Sequence, residues 1–308
     1  MKKNLIIILL LITVLFVACQ KPVENLEESI DDSAVSNITI IDMDGKEINL
    51  SKLPERIVSL SPSNTEIVFA LGAGDKLVGI TSFCDYPEET SNIEKIGDFD
   101  GPNIELIKKA QPDAIFGGVY LQDDMVIALE NLGIPIITTE ASYFDDIFKS
   151  ISLIGKLVDK EATAEKINND LQITIDDIKS RTKDLKKPNI FYVAWIDPLI
   201  TTGTGTYVDD VIKMSGAINT ANDVEGWTQY SGEELLKQNP DMAIIACHAT
   251  NEGVTIEDIK NEILLRNLEC VKKGNIYIMK DDNLISRPGP RIIEGIKEMT
   301  KAIHGDIF

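Results

Sequence analysis

The stretch Phe99-Asp100-Gly101-Pro102-Asn103-Ile104-Glu105-Leu106-Ile107-Lys108-Lys109-Ala110-Gln111-Pro112-Asp113-Ala114-Ile115-Phe116 has a counterpart later in the chain. It is Trp227-Thr228-Gln229-Tyr230-Ser231-Gly232-Glu233-Glu234-Leu235-Leu236-Lys237-Gln238-Asn239-Pro240-Asp241-Met242-Ala243-Ile244-Ile245. At matching positions stand an aromatic residue (Phe99, Trp227), a glutamate (Glu105, Glu233) and a Pro-Asp pair (Pro112-Asp113, Pro240-Asp241). Between glutamate and proline runs an apolar stripe, Leu106 and Ile107 in one copy, Leu235 and Leu236 in the other. Proline cannot continue a helix, so Pro112 and Pro240 read as stops. The apolar runs that follow, Ala114-Ile115-Phe116 and Ala243-Ile244-Ile245, read as buried strands. Each copy is therefore loop, short helix, turn and strand, with an acid at the positive end of the helix. Two such units predict two related lobes.

The flanks extend the pattern. Ile38–Ile41 and Lys46–Leu50 enclose Asp44-Gly45, a hairpin signal. Ile57-Val58-Ser59-Leu60 reads as a strand, and Ser63-Asn64-Thr65-Glu66 as a capping box opening a helix that ends at Leu71-Gly72-Ala73. Strands Leu77–Ile80 and Ile134–Thr138 complete an alternation typical of an α/β layer with a largely parallel sheet. From about Phe144 to Lys186 the pattern is helical. Ile167, Leu171, Ile175, Ile178 and Leu185 share one face, with no glycine or proline among them, as a stiff connector requires. The second lobe opens with Ile190–Val193, and its helix Tyr207–Ser215 ends at Gly216-Ala217 as the first ends at Gly72-Ala73. Strand Ile276–Ile278 and a helix from Arg291 to His304 finish it. The expected layout is a lobe over residues 38–143, a helical connector over 144–187 and a lobe over 188–308.

The N-terminus sets the compartment. Lys2-Lys3 precede an apolar run from Leu5 to Ala18, too short for a span of ~20 residues and suited to a signal peptide over residues 1–18. Phe16-Val17-Ala18-Cys19 resembles a bacterial lipobox, which makes Cys19 the lipidated residue; an ordinary cleaved signal is the alternative. Residues 19–37 are acidic and aperiodic and read as a tether. The membrane is thus reached through an N-terminal lipid alone, with the body on the outer face of the cell membrane or in the periplasm. A net charge of −20 at pH 7 argues against nucleic acid as a partner and against a peripheral helix on anionic lipid. Cys84, Cys247 and Cys270 show no zinc or redox spacing. One disulfide with one free thiol is open, and Cys247, ending an apolar run, reads as a buried small residue.

A cleft between two lobes is a usual ligand site. The segments after the strands that would face it are Ser61-Pro62-Ser63-Asn64, Phe83 to Tyr86, Phe99, Trp195, Trp227 and Asn283 to Arg287. Phe99 and Trp227, at equivalent positions, are placed to pinch a flat ligand, since aromatic faces bury large areas at low entropic cost; packing inside each lobe is the alternative. His304 reads as a surface residue. His248, at a strand end, reads as structural, with a metal-ligand role as the rarer case. No Ser elbow, Cys–His pair or clustered metal spacing appears, so neither a catalytic group nor a metal or cofactor site is expected. Thr202-Gly203-Thr204-Gly205-Thr206 lacks the lysine of a phosphate loop and reads as a tight turn. Glu105 and Glu233, placed alike in both lobes, suit docking to a twofold partner with two basic pockets; helix-dipole stabilisation of ~0.3–1 kcal/mol each is the simpler role.

Taken together, Arg56 to Glu66, Val78-Gly79, Asp85-Tyr86-Pro87, Asn103-Ile104-Glu105 and Ser286-Arg287-Pro288-Gly289-Pro290-Arg291 resemble the substrate-binding proteins of bacterial ABC importers. The resembling class carries cobalamin, haem and ferric siderophores, and its cobalamin branch is the most similar. The resemblance spans about Ile38 to Phe308. It implies two Rossmann-like lobes with mainly parallel sheets joined by one long rigid α-helix, a monomer with no catalytic activity. It further implies permease arginines paired with Glu105 and Glu233, and ligand contacts at Phe83, Phe99, Trp227 and Asn283 to Arg287, including Leu284. Where cobalamin relatives carry Tyr, Trp and a late-loop aromatic, this chain has Phe83, Phe99 and Asn283-Leu284. The implied cargo is a cobalamin-like corrinoid. Haem, with Tyr86 or His248 as axial ligand, and an anionic ferric siderophore met by Arg287 and Arg291 are the alternatives for the cargo; an exported α/β enzyme is the rarer alternative for the role.

Overall fold

The computed structural model describes residues 38–98, 101–117, 121, 123–250 and 253–308. Cys19, the tether and Phe99 lie outside the described residues. Strands β1 (Ile38–Ile41) and β2 (Glu47–Leu50) pair antiparallel. Their turn is held by Asp42 Oδ1, which accepts from the Asp44 and Lys46 N–H groups at 3.0 and 2.8 Å.

Two four-stranded parallel sheets form the rest of the frame. The first contains β3 (Ile57–Ser59) and β4 (Leu77–Ile80). The short pair β5 (Gly97–Asp98) and β6 (Gly101–Pro102) intervenes before β7 (Ala114–Phe116) and β8 (Ile136–Ile137) complete the sheet, in the order β4-β3-β7-β8. The second contains β9 (Asn189–Val193), then, past the antiparallel partner strand β10 (Ile200–Thr202), β11 (Ile218–Asn219). Strand β12 (Trp227–Gln229) pairs with β10, and β13 (Met242–Ile245) and β14 (Ile276–Ile278) close the sheet in the order β11-β9-β13-β14. Counted within its own sheet, each order is second, first, third, fourth. The central strands β3, β7, β9 and β13 are buried along nearly their whole length, as strands covered on both faces must be.

The duplicated stretch folds twice in the same way. Among the helices α1 (Pro62–Ala70), α2 (Ile104–Ala110), α3 (Asp123–Glu130), α4 (Phe144–Leu157), α5 (Glu161–Thr182), α6 (Tyr207–Met214) and α7 (Gly232–Gln238), α2 and α7 are the helices of the two copies. Asn103 and Ser231 cap their first turns, each accepting a backbone N–H three residues on. Gln111 and Asn239 close them in the left-handed region, at φ 49° and 45°. The aspartates of the Pro-Asp pairs then stitch strand to strand. Asp113 N–H donates to the Arg56 carbonyl and its Oδ1 accepts from Arg56 N–H, at 2.8 and 2.9 Å. Asp241 does the same with Asn189, at 2.9 Å both ways. Helices α1 and α6 also end alike: Gly72 and Gly216 take φ 73° and 80°, and Ala73 and Ala217 donate back to Val68 and Ile212, the Schellman arrangement.

Two expectations change. Helix α1 begins at Pro62 with Ser61 as its cap, accepting from Asn64 N–H; proline is preorganised for the first helical position, so the start moves back from Ser63 and Glu66 is freed from any capping box. The helical stretch after Phe144 is two helices, broken at residues 158–160, where Asp159 adopts φ 59°. The long connector is α5 alone, which packs on α4 before it and on α6 and the terminal helix after it. That terminal helix, α11 (Ile292–His304), follows the short helices α8 (Ile256–Asn261), α9 (Glu269–Lys272) and α10 (Asn283–Ser286). Among the described residues no helix is long and apolar enough to cross a membrane.

Candidate ligand-binding site

In open parallel sheets the loops beyond the carboxyl ends of the strands build the site. Here they enclose a cleft of about 520 Å³, within the usual range for small-molecule sites. The loop after β3 and the start of α1 supply Leu60, Ser61, Pro62 and Ser63; the loop after β4 supplies Thr81 and Phe83; Glu140 and Ala141 follow β8. From the second half come Tyr207, at the start of α6, and Ser286-Arg287-Pro288 after β14. Tyr207 donates from its hydroxyl to the Ser286 carbonyl at 2.8 Å, holding these two segments together. The charged residues on the wall are Asp98, Glu140 and Arg287; most of the remaining surface is apolar.

Ser61, Pro62, Ser63, Phe83 and Arg287 thus line the cleft, and the other sequence candidates among the described residues lie off its wall. Asn64 is buried beneath it, its amide atoms without a partner among the described residues. Tyr86 lies against Arg291, whose guanidinium stands 3.8 Å from the ring centroid. Trp195 donates from its indole to the Asp197 carbonyl at 2.9 Å. Trp227 sits on strand β12 rather than in a loop, 45% exposed, its ring 6.2 Å from that of Tyr207 on the cleft wall. Asn283 and Leu284 open the four-residue α10, whose last residue, Ser286, is on the wall.

Arg287 is not free to receive an anion. It donates to Asp85 at 2.6 Å and to Glu66 at 3.2 Å. Arg291 grips the same Glu66 with two bonds of 2.8 Å, the fork geometry that suits a carboxylate. Glu66 is only 3% exposed, and this network joins the first half of the chain to the second. The hydrogen bond from Arg287 holds the Asp85 carboxyl below its ordinary range, against a smaller opposing effect of burial.

Residues 57–283 match the family described as periplasmic binding protein. The chain belongs to this family. It is 32% identical, over 97% of its length and 96% of the relative's, to an uncharacterized ABC transporter substrate-binding lipoprotein of Bacillus subtilis, YvrC. Among solved structures it is similar to a possible iron-binding periplasmic protein of Staphylococcus epidermidis, at 31% identity and TM-score 0.71, covering 82% of this chain and 100% of that one. It is also similar to the periplasmic vitamin B12 binding protein BtuF of Vibrio cholerae, at 25% identity and TM-score 0.69, covering 81% and 96%. A periplasmic binding protein holds its ligand without transforming it, and this one is not an enzyme.

Elsewhere in this binding protein, the threonine-glycine loop is a turn. Gly203 and Thr204 donate their N–H groups to the Gly226 and Val224 carbonyls. His304 is half-buried and bonds the Ser215 carbonyl at 3.1 Å, closer to the core than a surface position. All three described cysteines are free thiols, Cys84 and Cys270 buried and Cys247 half-buried rather than sealed in the core. Burial and a hydrogen bond to Asp282 push the Cys247 thiol up to about 11, which disfavours a nucleophilic role. The contribution of Glu66 and of Asp282 was not readable from the chain, because their partners lie far away in sequence.

Proposed function

We propose that the protein is the lipid-anchored, extracytoplasmic substrate-binding component of an ABC importer, that it takes a cobalamin-like corrinoid into the cleft, and that it docks on the permease dimer through Glu105 and Glu233. The observation that carries the docking reading is their matched placement. Each is exposed, in the first turn of a seven-residue helix of the same build, and neither has an ion-pair or hydrogen-bond partner among the described residues. Acids so placed are available to basic pockets on a twofold partner. The likeness to a substrate-binding lipoprotein supports both the delivery role and an anchor at Cys19.

The cargo reading rests on the character of the cleft and on the B12-binding relative. Arg287 is already neutralised by Glu66 and Asp85, and the other charged wall residues are acids. A bulky ligand of little net charge suits such a wall better than a polyanionic chelate. The iron-binding relative supports the second reading, a ferric siderophore or haem in the same cleft.

The test is titration with cyanocobalamin, haem and a ferric hydroxamate, followed by tryptophan quenching and equilibrium dialysis. Saturable submicromolar binding of cyanocobalamin alone is expected. Binding of only haem or the hydroxamate keeps the transport role and replaces the cargo. Binding of none of the three removes the corrinoid reading.

A further inference from the structure

We infer that Cys247, His248 and Asp282, none of which is on the cleft wall, form a binding site for a divalent transition-metal ion of the zinc class. The three donors converge from two adjacent parallel strands. Cys247 and His248 follow β13, Asp282 follows β14, and these strands are paired in register from Ala243 and Ile276 to Ile245 and Ile278. Cys247 Sγ lies 3.4 Å from His248 Nδ1 and 2.8 Å from Asp282 Oδ1; His248 Nδ1 lies 2.6 Å from the same oxygen. The three residues are the one such group among the described residues with a sulfur, a nitrogen and an oxygen donor within 4.8 Å of one another.

The backbone behind them is pinned on both sides. Ala246 donates to the Val193 carbonyl, Ala249 to that of Ala246, and Ile196 to that of Ala249, which fixes the turn bearing Cys247 and His248. The Asp282 carbonyl accepts from Ile285 and Ser286, which fixes the start of α10. The main chain carrying the three donors is thereby fixed.

The chemistry selects the class of ion. Thiolate, imidazole and carboxylate together suit zinc and its borderline neighbours, whereas magnesium and calcium take oxygen donors alone. Thiolate and carboxylate bring two negative charges against a dication. With bonds of ~2.3 Å to sulfur and ~2.0–2.1 Å to nitrogen and oxygen, tetrahedral donors stand roughly 3.3–3.6 Å apart. The sulfur–nitrogen separation already has that length. The two contacts to Asp282 are shorter because protons now bridge them; as the ion replaces those protons the carboxylate must withdraw by roughly 0.7 Å. The thiol proton leaves to solvent and the remaining imidazole proton moves to Nε2. His248 is 68% exposed, so the fourth position faces water, as in sites with three protein ligands and one open position.

The test uses the full-length, tag-free protein, stripped of metal and kept reduced, with Zn²⁺ and Co²⁺ as the probes. One equivalent of Zn²⁺ is expected to bind in competition with a chromophoric chelator, and the Co²⁺ form should show a thiolate-to-cobalt charge-transfer band that Zn²⁺ bleaches. Cys247→Ser should abolish that band, and His248→Gln, at an exposed position that leaves the fold intact, should weaken Zn²⁺ at least about tenfold, the low end of what losing even an outer-shell partner costs. Absence of stoichiometric Zn²⁺ binding overturns the site, as does a charge-transfer band that survives in Cys247→Ser. Unchanged Zn²⁺ affinity in His248→Gln overturns it as well.

Discussion

Glu66 shows how one side chain acquires a role that its neighbours in sequence do not announce. It sits on α1, almost fully covered, with Arg287 and Arg291 as its partners. Removing one member of a buried ion network leaves the others desolvated and uncompensated, at a cost of about 3–5 kcal/mol. Glu66→Ala is therefore expected to lower unfolding stability by that amount in urea denaturation. Asp85 is the exposed arm of the same network, and its carboxyl is held below the ordinary value of 3.8 by the hydrogen bond from Arg287. A carboxyl depressed in the folded state stabilises the fold above its unfolded value and loses that contribution as pH falls through the folded one. The stability gap between wild type and Asp85→Asn should thus be present above pH 3.8 and close as the pH drops below it, which denaturation at a series of acid pH values will read.

The paired helices α4 and α5 make a sharper case of local preference against packing. Gly155 lies inside α4, where alanine would ordinarily be favoured by roughly 1 kcal/mol. A Cβ at this position, however, would stand 2.5 Å from the Cβ of Ala164 on α5. Neither atom belongs to a flexible chain end, so one helix must move. Gly155→Ala is expected to destabilise by about 1–3 kcal/mol, the usual range for overpacking, and the thermal midpoint should fall rather than rise. A rise would mean that the two helices separate readily.

Across the whole molecule, the two copies of the duplicated stretch are the organising feature. Each builds a seven-residue helix with an exposed acid in its first turn and an aspartate that stitches a strand to its neighbour. If both acids serve docking, Glu105→Ala with Glu233→Ala should abolish transport in cells while leaving ligand affinity and thermal stability unchanged, because both side chains are exposed. Each single variant should retain part of the activity. Wild-type uptake by the double variant, with the protein present at normal abundance, would remove the docking reading. The Glu66 network tying the first half to the second adds a further constraint, and the movement of one half against the other should be small.

The features legible from the chain were those set within a few residues. The stops at Pro112 and Pro240, the Gly-Ala ends at residues 72–73 and 216–217, the hairpin at Asp44-Gly45 and the apolar strand cores all depend on propensity, period and capping, which act over a turn or a strand. Duplication then made the two-lobed plan visible, because one local pattern occurs twice. The break at Asp159 escaped this reading, since a left-handed aspartate leaves little mark on the apolar period. So did β11, two residues long. Which residues reach the cleft depended on strand order: it carries Arg287, and Tyr207, which was not among the candidates, to the wall and leaves Asn64 beneath it. The meeting of Glu66 with Arg287 and Arg291, and of Cys247 and His248 with Asp282, likewise exists only once the parallel strands lie side by side. Contacts between segments far apart in the chain have no local signature, because nothing in either segment alone distinguishes a partnered charge from a solvated one.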